Sequence, residues 1–562
     1  MNSENCIGFL CFIALDSHGD KFFGFAEFLA GLALMVLAWT LADVRYKFRI
    51  DVAPLPLKKI TFWVVTFTGF ATLLTDLWRV EGWYVLAGEF ITPAIWQAIL
   101  GASFLLTFLV WAWYAFISPP VYGPRNCLSY ARAIYRAILN GAETELDVIT
   151  DELGDSVKAL ITYATEYYPL PPNAKSTESE SKLPDVSKLA DEILMLMGDK
   201  RFCRSMVRRS TRTALRFFEE IEKQKKYRLR IQSFSQNFST EAIDYRDSFI
   251  YHETSGYDSG LIGHIKPLSN AIYSNYTLVD VQDNLLDMDY RAQEDWDAHQ
   301  WHAYCRIVLM AFSGYVGRDL HVHSFVLHRA RGRIENLANE LYKLNGVDEF
   351  SFRDGVSEKL RTVLSFIEKS VEMLKGKTLP SHFRLRHHSH PNLRNLTVYD
   401  DLAKMIFQVM CEASQVRGPR GTCWWIQHNT VWTHFFGSMS HLDSDAGKIV
   451  KHKVRRLVYN EVTELLKFHN FRAARLLGLC INVMGLTRSS RAKNRDFFAL
   501  HAVILNLVKA NFTKLYTTNQ SLAENCLVNE VTFDHPNLQL VKTYPSFSAS
   551  GQPNTVTFKV DP

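Results

Sequence analysis

The uneven distribution of charge along the chain restricts its fold more than any other feature. Residues 1–117 hold 7 basic and 9 acidic side chains, whereas residues 118–562 hold 56 basic and 49 acidic side chains. A long stretch with few charges predicts apolar helices that cross a membrane, ahead of a water-exposed body. The overall composition, 47% hydrophobic and 22% charged, excludes a disordered, collagen-like or disulfide-scaffold chain.

Three apolar runs are long enough to cross a bilayer. We predict spans at 22–42, 60–77 and 93–117. A helix rises about 1.5 Å per residue, so about 20 residues cover the hydrocarbon core. No basic segment precedes the first run, and this run is longer than the apolar part of a cleaved signal peptide, so it is interpreted as a span.

The basic residues of the short loops predict the orientation. Loop 77–92 contains Arg79 as its one basic residue, whereas loop 43–59 contains five, namely Arg45, Lys47, Arg49, Lys58 and Lys59. By the positive-inside rule, loop 43–59 is cytoplasmic. We therefore expect an integral membrane protein with its N-terminus outside and its C-terminal body in the cytoplasm.

The predicted fold class is mainly α, with three N-terminal transmembrane helices, a large helical cytoplasmic domain and a few short C-terminal β-strands. The expected segments are an extracytoplasmic 1–21, a transmembrane 22–120, a juxtamembrane helical 121–168, a polar Pro/Ser-rich linker or loop 169–185, a helical body 186–526 and a β-containing 527–562. The strands are expected in the segments VTF, LQLVKTY and TVTFKV.

Common catalytic motifs are absent from the sequence. There is no P-loop, G-x-S-x-G, H-E-x-x-H or kinase motif set. None of the nine cysteines forms a C-x-x-C pair, so neither a zinc ribbon nor a disulfide framework is predicted. The identity of any cofactor stays open, and a divalent metal is the cofactor to which the following residues point.

A cluster of acidic residues and histidines suggests a metal site. Asp295, His299 and His302 share one face of a helix at i, i+4, i+7 spacing, and His321 follows on the next element. Carboxylate and imidazole together suit zinc, manganese or iron. The alternative is a solvated acidic face beside histidines that bond to backbone or carboxylate groups.

Three Arg-Asp pairs are each followed closely by a histidine. They are Arg246 with His252, Arg318 with His323, and Arg495 with His501. This spacing resembles the catalytic motif of HEPN-type ribonucleases. The resemblance implies RNA cleavage in which the histidine assists acid–base chemistry, with the arginine stabilising charge on the phosphorane.

Two basic segments suggest an anionic partner. In the first, 200–232, a stripe at helical spacing is formed by Arg204, Arg208, Arg212 and Arg216. The second, 448–495, includes Arg455 and Arg456. Such surfaces suit lipid headgroups or nucleic-acid phosphates. A solvated face paired with the acidic run at 280–297 is the alternative.

These patterns lead to one main functional hypothesis and two alternatives. The main hypothesis is a membrane-anchored sensor, scaffold or effector that binds an anionic lipid, a nucleic acid or a protein partner, or that forms a homo-oligomer. The first alternative is a membrane-anchored nuclease. The second is a channel-like oligomer, because Glu27 and Asp76 lie within or beside the spans.

Overall fold

A computed structural model describes residues 5–7, 10–14, 22–86, 93–167, 184–257, 268–318, 323–348, 355–377, 397–437, 440, 442–465, 470–488, 497–544 and 553–562. The chain divides into two compact units, Met1–Phe238 and Ser239–Pro562. The described residues are mainly helical, and their C-terminal strands are antiparallel, which confirms this part of the predicted fold class.

The apolar N-terminal region of the first unit contains four helices. They are α1 (Phe25–Leu41), α2 (Val44–Asp51), α3 (Leu57–Val80) and α4 (Pro93–Ala112), the last of which continues in a π-helical turn, Trp113–Ile117. Two stretches, Leu57–Val80 and Ile95–Ile117, are long and apolar enough to cross a membrane. A third exists if Phe25–Thr40 and Val44–Asp51, which are bent by 106°, together form one span.

The outward faces of these helices are apolar. Phe62, Phe67 and Phe70 of α3 and Leu106 of α4 are each more than 60% exposed, with fractions of 63%, 62%, 66% and 63%. Large apolar side chains exposed in this number are costly in water and favourable in hydrocarbon.

Two acidic residues of the apolar helices, Glu27 and Asp76, lie together at the start of α1. The Phe25 backbone N–H donates to Asp76 Oδ2 at 3.0 Å, and the Gly24 N–H donates to Glu27 Oε2 at 2.9 Å. The first N–H groups of a helix have no partner within the helix, and leaving them unpaired in lipid is costly. Glu27 and Asp76 therefore have a structural role as caps of α1.

A short N-terminal sheet forms at the end of α3 that is remote from α2. Strands β1 (Asn5–Ile7) and β2 (Leu10–Ala14) pair antiparallel, and β2 also pairs antiparallel with β3 (Tyr84–Leu86), which follows α3. The N-terminal segment and the loop after α3 thus lie at the same end of the bundle.

Five further helices of the first unit follow the spans. They are α5 (Cys127–Asn140), α6 (Glu143–Tyr163), α7 (Asp185–Leu196), α8 (Lys200–Arg208) and α9 (Thr211–Gln224). Helix α10 (Gln232–Asp244) begins in this unit, where Phe234 and Phe238 pack with Phe217 and Phe218 of α9.

Helix α2 joins the spans to the helices that follow them. The Arg49 guanidinium donates to both carboxylate oxygens of Glu152 on α6 at 2.7 and 2.8 Å and to the Ala115 carbonyl at 2.9 Å. The Asn126 side-chain amide donates to the Val52 carbonyl at 2.8 Å. We call these contacts the α2 clasp. They place loop 43–59 and the helices after residue 120 at the same end of the bundle.

The second unit is built from further helices. They are α11 (Phe249–Tyr257), α12 (Leu268–Tyr273), α13 (Tyr276–Val281), α14 (Tyr290–Glu294), α15 (Ala298–Val316), α16 (Phe325–Glu335), α17 (Gly355–Met373), α18 (Val398–Ala413), α19 (Arg420–Trp424), α20 (Thr433–Phe436), α21 (Asp445–Glu464), α22 (Phe471–Met484), α23 (Phe498–Thr518) and α24 (Gln520–Asn525). Helices α19 and α20 are joined by a π-helical segment, Trp425–Trp432, and 3₁₀ turns occur at Asp283–Leu285 and Asn336–Leu344.

An ion pair lies in the core where α18 packs on α21. Lys453 Nζ contacts Asp400 Oδ1 at 2.5 Å, and the two side chains are 0% and 1% exposed. The other oxygen of Asp400 accepts hydrogen bonds from the Thr397 N–H and hydroxyl at 3.1 and 2.7 Å. Asp400 therefore both caps α18 and neutralises a buried lysine.

The C-terminal sheet consists of β4 (Val531–Asp534), β5 (Gln539–Tyr544) and β6 (Asn554–Lys559), all antiparallel in that order. The buried Lys542 of β5 donates to the Asn482 carbonyl at 2.6 Å, and its Nζ lies 5.4 Å from the Trp424 ring and 5.2 Å from the Tyr544 ring. Burial lowers the pKa of Lys542 to about 8.

Candidate functional site

The first candidate site is a small pocket between α6 and α8 of the first unit. It has a volume of about 110 Å³, and its lining includes four arginines, namely Arg201, Arg204, Arg208 and Arg209. Two acidic side chains, Glu143 and Asp147, and Ser205 complete the lining. We call this site the arginine pocket. Its charged side chains sum formally to +2, four arginines against two carboxylates.

The walls of the arginine pocket are held by polar contacts. The Ser205 hydroxyl donates to Asp147 Oδ1 at 2.6 Å, and the Arg201 guanidinium donates to the Gly141 carbonyl. Arg209 Nε lies 3.9 Å from Asp147 Oδ2, with 74% of its side chain exposed. The pocket is therefore fixed on its inner side and open to solvent on its outer side.

The predicted arginine stripe lies on two helices. The sequence pattern predicts one helix over 202–225, but α8 ends at Arg208 and α9 begins at Thr211. Arg204 and Arg208 line the arginine pocket on α8, whereas Arg212 and Arg216 lie on α9, where Arg216 donates to Asp155 at 3.0 Å. Ser210, between the helices, has its hydroxyl 3.0 Å from that of Thr150 on α6, which fixes the break.

The second basic segment is partly structural. Arg455 and Arg456 lie on α21, and the Arg456 guanidinium is 5.7 Å from the centroid of the Tyr459 ring. On the same helix the buried Lys451 contacts Asp443 at 3.0 Å, in addition to the Lys453–Asp400 pair. These pairs explain part of the basic excess of this segment without a ligand.

The second candidate site is in the second unit and is formed by His323, His328 and Asp401. Each side chain offers one ligand atom, and these atoms lie within 4.8 Å of one another. His328 Nδ1 is 3.4 Å from Asp401 Oδ1, and His323 Nε2 is 3.7 Å from Asp401 Oδ2. We call this the His–Asp cluster. In the part of the chain that the structure describes, it is the one group of three such residues at this spacing.

Two helices position the His–Asp cluster. His323 precedes Ser324, whose hydroxyl caps α16 by accepting the Leu327 N–H, and His328 lies in the first turns of α16. Asp401 lies in the first turn of α18, beside the Thr397–Asp400 cap. The cluster thus depends on the packing of α16 against α18.

Arg331 holds the carboxylate of the His–Asp cluster. Its Nη2 donates to Asp401 Oδ2 at 2.6 Å, and both side chains are buried, at 7% and 4% exposure. Burial raises the pKa of Asp401, but His328, Arg331 and His323 outweigh it, so the pKa lies below its ordinary value. Burial also lowers the pKa of His323. Both shifts favour an ionised carboxylate beside a neutral imidazole at neutral pH.

Glu335 lies on the same face of α16 as His328 and Arg331, at i, i+3, i+7 spacing. Burial raises the pKa of Glu335 to about 7. A carboxyl group with a raised pKa close to histidines and an arginine is typical of functional sites, although structural ion-pair networks produce such shifts as well.

Three of the four residues predicted to bind a metal, Asp295, His299 and His302, lie at the end of α14 and on α15, outside the His–Asp cluster. Asp295 is exposed at the end of α14, His299 stacks on Tyr251 with ring centroids 5.1 Å apart, and His302 is partly buried on α15. His321 lies outside the described residues. Among the described residues, no group of three ligands at metal-binding spacing includes Asp295, His299 or His302.

The described residues of the pairs that resemble the HEPN motif make contacts with other parts of the chain. Arg495 lies outside the described residues, and His501 is buried with Nε2 2.9 Å from the Gly485 carbonyl, where burial lowers its pKa. Arg318 donates to the Thr277 hydroxyl and lies 5.5 Å from the Tyr276 ring, whereas His323 faces Asp401.

The remaining pair that resembles the motif is Arg246 with His252, and each of the two side chains contacts a different carboxylate. His252 contacts Asp247 at 2.7 Å, and Arg246 contacts Asp297 at 2.5 Å. Both contacts lie on exposed side chains.

Sequence reasoning missed Asp401 and Arg331 as site residues. Asp401 is 70 positions from Arg331, and no local pattern links the two. The available signal was the shared helix face of His328, Arg331 and Glu335.

Comparisons with protein-family models, with curated proteins and with solved structures find no match to this chain.

Proposed function

We propose that the protein is a membrane-anchored sensor or effector that recognises the phosphate-bearing headgroup of an anionic lipid. The observation that carries this proposal is the arginine pocket. A volume of about 110 Å³ suits one phosphate-sized group. Arginine is the preferred residue for such groups, because its planar guanidinium donates two parallel hydrogen bonds to phosphate oxygens.

The position of the pocket supports a lipid rather than a nucleic acid as its ligand. The arginine pocket belongs to the same compact unit as the apolar helices, and α6, which lines it, also carries the α2 clasp. In addition, α1, α2, α3 and α4 surround a mostly apolar cavity of about 400 Å³ with Lys58 at its lining. Such a cavity suits an acyl chain beside an anionic headgroup.

The proposed topology has three spans, the N-terminus outside and the body in the cytoplasm. The basic residues of loop 43–59 and the α2 clasp support it, because anionic lipids attract basic residues on the cytoplasmic face. The capping role of Glu27 and Asp76 supports an anchor rather than a pore.

The test measures lipid binding by the full-length protein in detergent. Short-chain phosphatidylglycerol is titrated against short-chain phosphatidylcholine with the same chains, and a single-stranded RNA serves as the nucleic-acid arm. Each basic residue near an anionic headgroup contributes about 1 kcal/mol, so Arg204→Gln with Arg208→Gln should weaken phosphatidylglycerol binding about 30-fold.

Arg212→Gln with Arg216→Gln is the matched control, since it removes the same two charges from the next helix without altering the lining of the pocket. It should change binding less than about 3-fold, as expected for charges outside the site. Equal binding of the two lipids, or an unchanged affinity of the Arg204 and Arg208 variant, would refute the proposal. Tight RNA binding that is lost in the Arg204 and Arg208 variant would replace the lipid by a nucleic acid.

A further inference from the structure

The His–Asp cluster has the chemical composition of a metal site. Two imidazoles and one carboxylate form the protein ligand set of several catalytic zinc sites and of the facial triad that holds non-haem iron. A structural zinc site has four protein ligands, whereas three protein ligands leave a position for water or a substrate.

The distances within the cluster suit a single ion. Two atoms bound to one tetrahedral ion at about 2.1 Å each lie about 3.4 Å apart. His328 Nδ1 and Asp401 Oδ1 are separated by 3.4 Å, and His323 Nε2 and Asp401 Oδ2 by 3.7 Å. The two histidines approach different oxygens of Asp401, and the three ligand atoms lie within 4.8 Å of one another, so rotation of the side chains is needed to bring all three to one ion.

Unpaired polar atoms provide an independent indication of a ligand. Asp401 Oδ1 and His323 Nε2 are buried and have no hydrogen-bond partner in the described part of the chain. The side chain of Asp401 is 4% exposed, so its Oδ1, which lies 3.4 Å from His328 Nδ1, is shielded from bulk water. A buried carboxylate oxygen without a partner is costly, and a bound cation removes this cost.

Arg331 fits the role of a positioning residue for this site. Its bond to Asp401 Oδ2 leaves Oδ1 directed at His328. Ligating carboxylates are commonly held by such partners, whose loss weakens metal binding about 10–100-fold. The Nε and Nη1 of Arg331 are buried and donate to no described residue.

We propose that the second unit binds one divalent first-row transition ion through His323, His328 and Asp401. The ion reaches the site through His328, whose side chain is 39% exposed. Imidazole and carboxylate ligands suit zinc, manganese and iron, so Zn²⁺ is the test ion and Co²⁺ is its spectroscopic substitute.

The experiment uses the full-length protein in detergent, stripped with a chelator and reloaded with Zn²⁺ or Co²⁺. Elemental analysis after desalting should find one Zn²⁺ per chain, and Co²⁺ should give visible absorption bands of a four- or five-coordinate ion. His328→Gln and His323→Gln should each lower the affinity for Zn²⁺ by about 100-fold or more, beyond the loss typical of a second-shell partner.

Two controls separate this site from other causes of metal binding. The triple variant His387→Gln, His388→Gln and His390→Gln removes a histidine-rich stretch elsewhere and should retain the ion. The buried cysteines, which are free thiols, should stay protected from labelling in every variant that folds. His328→Gln alters a partly exposed side chain and is the variant expected to fold.

Three results would overturn the proposal. The first is absence of Zn²⁺ from the reloaded native chain. The second is full retention of Zn²⁺ by both His323→Gln and His328→Gln, and the third is loss of the ion from the triple variant alone. Because the lipid test uses residues of the first unit, either proposal can fail without the other.

Discussion

Replacing Lys542 with methionine should abolish a rise in stability that the native chain shows between about pH 7 and pH 10. Lys542 is buried against Trp424, Tyr544 and the Asn482 carbonyl, and burial lowers its pKa from 10.5 to about 8. Between these two values the unfolded chain holds a proton that the folded chain has released. The unfolded state then binds more protons, so stability increases as the pH rises.

The size of the change in the free energy of unfolding follows from the shift in the pKa of Lys542. Each unit of pKa corresponds to about 1.36 kcal/mol, so a change from 10.5 to about 8 gives about 3.4 kcal/mol in full. About 2.5 kcal/mol of this falls between pH 7 and pH 10, which is about a 70-fold change in the equilibrium for opening.

The assay is native-state thiol labelling of Cys423 in the full chain. Cys423 is buried in α19, and Lys542 acts electrostatically on its thiol. Comparing native and variant chains at the same pH cancels most of the intrinsic dependence of thiol reactivity on pH. In the native chain the protection of Cys423 should rise by about 70-fold more than in Lys542→Met.

A lysine on the surface provides the control. Lys509→Met alters a side chain that is 54% exposed and should follow the pH profile of the native chain. Parallel profiles for the native chain and Lys542→Met would refute the reasoning, because they would mean that Lys542 titrates alike in the folded and unfolded states.

Three further substitutions test the packing described above. Lys453→Met should destabilise the second unit by about 3–5 kcal/mol in urea unfolding, because it leaves Asp400 buried without its cation, and adding Asp400→Asn, which removes the charge but keeps an oxygen for the Thr397 cap, should restore most of the loss. Gly485→Ala should cost about 1–3 kcal/mol by the same measurement, since φ of 81° and ψ of 176° suit only glycine. Arg49→Ala should loosen the α2 clasp by about 1.5–3 kcal/mol, measured as faster hydrogen exchange in α2, and Glu152→Gln should cost less.

For each of these predictions, one outcome would contradict the stated reason. If the double variant at Lys453 and Asp400 is no more stable than Lys453→Met, an unpaired buried charge is not the reason for the lost stability. An unchanged stability of Gly485→Ala would show that the backbone there adapts to a side chain. Unchanged exchange in Arg49→Ala would show that the α2 clasp does not hold α2.

Local patterns in the sequence were sufficient for the apolar helices and the C-terminal strands. The alternation in VTF, LQLVKTY and TVTFKV predicts strands, and β4, β5 and β6 overlap those segments. The apolar run before Ile117 likewise predicts a long helix, and α4 with its π-helical turn forms it. In both cases the neighbours along the chain determine the structure.

Helix breaks were harder to predict, because they depend on caps and on contacts with other helices. The pattern over 290–312 predicts one helix, but α15 begins at Ala298 with Asp297 as its cap. The spacing of Asp297 and Gln300, which cap one another's backbone N–H groups, is a signal that could have located this break. The break at Ser210 depends on Thr150 of α6 and has no such local signal.

The His–Asp cluster lay beyond the reach of local patterns. His323 was predicted as the partner of Arg318, but its contacts are His328 and Asp401. Asp401 reaches the cluster only because α16 packs on α18, and a single sequence does not reveal the contact of two helices that are far apart along the chain. Spacing along one helix face therefore favoured Asp295, His299 and His302 as ligands.

The α2 clasp has a mechanical consequence for the first unit. Arg49 bonds at once to Glu152 of α6 and to the Ala115 carbonyl at the end of the last span, so these three elements move together. The helices that follow α4 are thus held to α2 and α4 by hydrogen bonds as well as by the connecting chain. A change in the tilt of α4 would therefore be transmitted through the clasp to α6 and to the arginines that face it.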